Sequence, residues 1–99
     1  MNYEERKKIY TEAIATYGKT AQLEMAQEEA TELALAVRKF VRQPTRQRVT
    51  DLIEEMADVE IMQEQINVMF PNFRKRIDSI KAIKLQKLSR KIDIKQTHG

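Results

Sequence analysis

Two stretches of this chain repeat at alternating steps of three and four residues, and each repeat carries a glutamate where an apolar residue belongs. Gln22, Ala26, Glu29, Leu33, Ala36 and Phe40 form the first; Leu52, Glu55, Val59, Met62, Ile66 and Met69 form the second. This spacing is the inward stripe of an amphipathic helix that packs on another helix. A carboxylate in a dry seam is costly unless a cation, a positive side chain or a proton neutralises it. Glu29 has Glu28 and Glu32 within a turn, and Glu55 has Glu54 and Asp58. The pattern points to a metal ion held between two helices.

The breaks between the stripes set the fold class. The first helix runs from about Asn2 to Tyr17, with Tyr3, Tyr10, Ile14 and Tyr17 on one face, and Gly18 stops it. Thr20 is the expected N-cap of a second helix that reaches Val41. Arg42–Gln43–Pro44–Thr45 interrupts the period, and Pro44 or Thr45 opens a third helix ending near Phe70. Pro71 separates it from a fourth, from about Asn72 to Lys91, whose apolar side is Phe73, Ile77, Ile80 and Leu88. Residues 92–99 read as a frayed basic and polar tail. The expectation is therefore all-α: one domain over residues 1–91, an antiparallel bundle of about four helices. A chain of 99 residues buries only a modest core, so oligomerisation is expected to complete it.

Composition narrows the chemistry. Without cysteine there is no disulfide or thiolate site, and the only histidine, His98, falls in the tail, where a ligand role is not expected. Apolar runs are too short to span a membrane, and residues 1–20 lack the apolar core of a signal peptide, so a soluble cytoplasmic protein with no membrane partner is expected. The net charge of +3 conceals an asymmetry: residues 1–70 carry nine Lys/Arg against thirteen Asp/Glu, and residues 71–99 carry nine against two. An acidic part followed by a basic end suits nucleic acid on the end, or a phosphorylated small molecule between the two.

Glu28-Glu29-Ala30-Thr31-Glu32 is an E-E-x-x-E motif, and Glu55-Met56-Ala57-Asp58 is E-x-x-D. On helices each sets carboxylates one turn apart. Three or four carboxylates converging from two antiparallel helices make an all-oxygen site suited to Mg²⁺ or Mn²⁺, which points to phosphate chemistry. Either motif alone is common on solvated helix faces. Their occurrence on adjacent helices, each with one acid in the seam, is what makes chance unattractive. A di-iron carboxylate bundle would need Glu-x-x-His ligands, and the chain offers no histidine before His98.

The segments EEATELALAVRKF and LIEEMADVEIMQEQI together resemble the MazG-like all-α nucleoside triphosphate pyrophosphohydrolases, over about residues 17–91. Gln22-Leu23 and Ala57-Asp58-Val59 with Gln65 resemble the small phage and bacterial members. The resemblance implies a homo-oligomer, dimer or tetramer, that hydrolyses a non-standard or deoxy nucleoside triphosphate to the monophosphate and pyrophosphate with Mg²⁺. It further implies Glu29, Glu32, Glu55 and Asp58 as metal ligands, with Glu28 supporting them or orienting water. On chemical grounds Glu28, an acid outside that ligand set, is the catalytic candidate that takes the proton of the attacking water.

Further residues are assigned from spacing. Lys39 lies two turns after Glu32, and Lys84 and Lys87 continue the stripe of Phe73, Ile77 and Ile80; all three are candidate phosphate contacts. Lys84 and Lys87 read equally well as side chains snorkelling past the bundle end. Gln22, a polar seam residue, is a candidate for reading a base edge. Two competing readings stay open: nucleic-acid binding through the basic C-terminal helix, and a helical oligomer that holds no ligand.

Overall fold

The computed structural model describes residues 1–98. They form four helices, α1 (Tyr3–Tyr17), α2 (Lys19–Arg42), α3 (Arg46–Met69) and α4 (Phe73–His98), and no strand among the described residues. The chain divides into two compact units, residues 1–69 with α1 to α3 and a second from Phe70 onward with α4. None of these helices is long and apolar enough to cross a membrane.

Local chemistry explains each boundary. Asn2 caps α1: its side-chain oxygen accepts from the Glu5 N–H at 2.9 Å, satisfying a donor that has no partner within the helix. Gly18 ends α1 at φ 93°, ψ 155°, a conformation essentially reserved for glycine, while its N–H donates back to the Ile14 carbonyl. The expected N-cap at Thr20 is not used. Helix α2 starts at Lys19 with Gly18 as its cap, because the glycine turn leaves the chain already placed to continue helically. Thr45 caps α3, its hydroxyl accepting from the Arg48 N–H at 3.3 Å. Phe70 and Phe73 stack across the Pro71 turn with ring centroids 4.8 Å apart. Helix α4 extends to His98, beyond the end expected near Lys91, since nothing between them breaks a helix. Gly99, last residue of the expected tail, lies outside the described residues.

The main packing is α2 against α3, folded back over the three residues Gln43 to Thr45, with α1 touching both. So short a connection between helices in lateral contact makes them antiparallel. All twelve stripe residues are buried or half-buried: Gln22, Ala36, Met62 and Met69 are buried, and the remaining eight, Glu29 and Glu55 among them, are intermediate. The aromatic face expected of α1 is only partly realised. Tyr10 is buried, but Tyr3 and Tyr17 are 45% and 67% exposed, because α1 is shorter than its partners and meets them through its middle. Helix α4 keeps only Ile77 half-buried; Phe73, Ile80 and Leu88 are exposed.

One polar cluster ties α1 to α3. The Arg6 guanidinium donates twice to Glu64, at 2.8 and 3.0 Å, and the Tyr10 hydroxyl donates to the same carboxylate at 2.6 Å. These bonds hold the Glu64 carboxyl below its usual range, first through Arg6 and then through Tyr10. The Tyr10 phenol is pushed up to about 12, first by burial and then by donating to Glu64.

Candidate metal centre

Helical geometry alone brings the seam acids together. Glu29 lies mid-way along α2 and Glu55 mid-way along α3, and Asp58 follows Glu55 by one turn. In the antiparallel pair these levels coincide. One carboxylate oxygen from each of Glu29, Glu55 and Asp58 lies within 4.8 Å of the others, and all three residues are half-buried.

The electrostatics of this cluster are unfavourable as it stands. Burial raises the Glu29 carboxyl above its ordinary value, and the charges of Asp58 and Glu55 raise it further, with a hydrogen bond to Asp58 and the charge of Glu32 adding to the effect. No protein donor reaches the buried Oε2 of Glu55. An acceptor left without a donor in a half-dry seam costs on the order of 1–3 kcal/mol, more for a charged group. Neutralisation by a cation or a proton relieves both strains.

A cavity of about 130 Å³ adjoins the cluster, lined by Glu32, Leu35, Ala36 and Lys39 from α2 and by Asp51, Glu54 and Glu55 from α3. Glu32 thus stands outside the three-carboxylate group but faces the same space as Glu55. Lys39 lines that cavity too, so a cation sits beside the acids where spacing put a phosphate contact. Glu28 is exposed and lines a separate concavity with Gln27, Glu29, Thr31 and Glu32. Gln22 is packed into the seam at 8% exposure. Lys84 and Lys87 are exposed on α4, in the second unit.

Sequence reasoning did not single out Asp51, although it lies one turn before Glu54 and directly before the seam residue Leu52. Gln65 entered only through the family resemblance, and no spacing argument announced that it is buried, 4% exposed, with an Oε1 that meets no donor. A polar residue next to the stripe gives no periodic signal of its burial.

Comparison with known proteins finds no family model, no curated protein and no solved structure that matches this chain.

Proposed function

We propose that this chain is a Mg²⁺-dependent nucleoside triphosphate pyrophosphohydrolase, releasing the monophosphate and pyrophosphate, with Mn²⁺ as a substitute ion. The observation that carries the reading is the convergence of Glu29, Glu55 and Asp58, together with the buried Glu55 Oε2 that no protein donor satisfies. An all-oxygen donor set with an orphaned carboxylate oxygen fits a hard divalent cation. The resemblance of the two motifs to MazG-like enzymes supplies the reaction class.

Glu29, Glu55 and Asp58 would hold the ion, and Glu32, which lines the adjoining cavity with Glu55, is the fourth candidate ligand. When bound, the ion supplies neutralisation of phosphate charge and activation of water. Glu28, exposed next to Glu29, is free to accept the proton lost by the attacking water. Lys39 pairs with phosphate oxygens entering the cavity it lines. Gln22 is a base-edge candidate from spacing alone, and it lies packed in the seam. The active form is a cytoplasmic homo-oligomer, dimer or tetramer, because the apolar residues buried in one copy are few: Tyr10, Ala36, Met62 and Met69.

The test is calorimetric titration of Mg²⁺ or Mn²⁺ into wild type and Glu55→Gln, with and without a non-hydrolysable nucleotide, alongside pyrophosphate release from a panel of ribo- and deoxynucleotides. Metal binding strengthened by nucleotide and lost in the variant supports the reading. Absence of both metal binding and pyrophosphate release removes it.

A second reading is favoured by one observation: every side chain from Asp78 to Thr97 is exposed on a helix rich in Lys and Arg. On that reading α4 binds nucleic acid. Binding would weaken steeply with salt and survive Glu55→Gln.

A further inference from the structure

The residues that flank the seam differ by side. A helix turns about 100° per residue, so the residue before each seam position lies on one flank and the residue after it on the other. Before the seam positions come Glu28, Glu32, Lys39, Asp51, Glu54 and Asp58, the charged surroundings of the carboxylate cluster, interleaved with Ala21, Met25, Leu35, Ile61, Gln65 and Val68. After them on α2 come Leu23, Gln27, Ala30, Ala34, Val37 and Val41, and on α3 Ile53 and Met56 followed by the polar Glu60, Gln63 and Asn67, so this flank is mainly apolar along α2 and the first half of α3. Running antiparallel reverses the sense of turning, and facing each other across the seam reverses it again. The two apolar flanks therefore lie on the same side of the helix pair, opposite the acids.

This side is exposed. Leu23, Val37 and Val41 are 38%, 43% and 64% accessible, and Ile53 and Met56 are 61% and 50%. We propose that it is the interface with a second copy of this chain, related by a two-fold axis passing near Ile53. This names a face for the homo-oligomer proposed above, and it stands on exposure and charge rather than on the catalytic reading.

Charge selects the second copy as occupant. At the positions directly after the seam residues, α2 carries no ionisable side chain from Leu23 to Val41, so identical flanks meet without like-charge repulsion. The opposite flank also exposes Met25, Leu35 and Ile61, but pairing it with itself would set the carboxylates of Glu28, Glu32, Asp51 and Glu54 near like charges. Along α3 the only charge in the follower positions is Glu60, and Arg46 lies equally far from Ile53 in the other direction. A two-fold axis at Ile53 sets α3 antiparallel to its copy and brings Glu60 opposite Arg46 of the partner subunit. Within one chain, the ion pairs among the described residues are Arg6–Glu64, Arg48–Asp51 and Arg74–Asp78, which leave both Glu60 and Arg46 unpaired. The pairing is self-complementary, as a closed dimer requires.

Sedimentation equilibrium on the full chain tests the interface. Wild type is expected at the mass of two chains or a multiple of two. Ile53→Glu should shift it to one chain or halve the assembly, with helical circular dichroism retained because Ile53 is exposed in the single copy. Arg46→Glu and Glu60→Arg should each weaken association about tenfold or more through like-charge contact, and the double reversal should restore it. If Ile53→Glu loses its helical signal, the charge reversals decide. A wild type that stays at one chain at every concentration overturns the proposal. So does an assembly that neither Ile53→Glu nor the charge reversals change. Pyrophosphate release is read separately, so failure of the catalytic reading leaves the mass result standing.

Discussion

Glu29 on α2 and Asp58 on α3 bring carboxylate oxygens within 4.8 Å of each other across a packed helix seam, with Glu55 completing the group. Burial, and then the like charges held this close, raise the proton affinity of Glu29.

Removing one carboxylate should cost cation affinity and activity together. Glu29→Gln, Glu55→Gln and Asp58→Asn are each expected to weaken Mn²⁺ binding by more than the roughly 10–100-fold lost with an outer partner of a metal ligand. Calorimetry and pyrophosphate release check this. The same variants should melt higher than wild type without metal, since a buried charge has gone. Metal affinity unchanged in all three would show that the cluster is structural.

The metal-free protein should lose stability as pH rises past the ordinary glutamate value. The Glu29 carboxyl is raised from 4.5, so the folded state holds its proton where the unfolded state has released it. Stability from this group is greatest below 4.5 and falls until pH exceeds the raised folded value. Glu64 acts in the opposite sense: its lowered carboxyl contributes above the ordinary value and loses that contribution as pH falls through the folded one. Melting curves in chelator should show the decline on the rising side, and Mn²⁺ should flatten it. A decline of equal size in Glu29→Gln would assign it to other groups.

Tyr10→Phe should lower stability by about 1 kcal/mol, the net worth of one hydrogen bond, by removing the 2.6 Å bond to Glu64. Ultraviolet titration should also lose the phenol that ionises near pH 12, about two units above its usual 10. Because Tyr10 lies on α1, away from the carboxylates, cation affinity should not change.

Gly18→Ala should destabilise the protein by about 1–3 kcal/mol through backbone strain. The glycine sits at φ 93° with nothing within 4 Å of an added Cβ, so crowding contributes nothing. Chemical denaturation measures the loss, and an unchanged midpoint would show that the turn relaxes freely.

The sequence by itself determined that the chain is all-helical, where its helices break, and that Glu29 and Glu55 share a seam. Those features follow from local period and from the backbone limits of Gly18 and Pro44, which act over a few residues. It could not decide which neighbouring acids join the seam pair. Glu32 and Asp58 stand one turn from Glu29 and Glu55 respectively, yet only Asp58 enters the group within 4.8 Å, while Glu32 turns to the adjoining cavity with Asp51 and Glu54. That choice depends on the rotation of α2 against α3, which is set by packing along the whole interface. Likewise, nothing periodic announces that Arg6 and Tyr10 converge on Glu64, because the three meet only where α1 comes to rest on α3. Period within a helix is a local property of the chain. Rotation between helices is a collective result of side-chain packing, and the tertiary structure decided it.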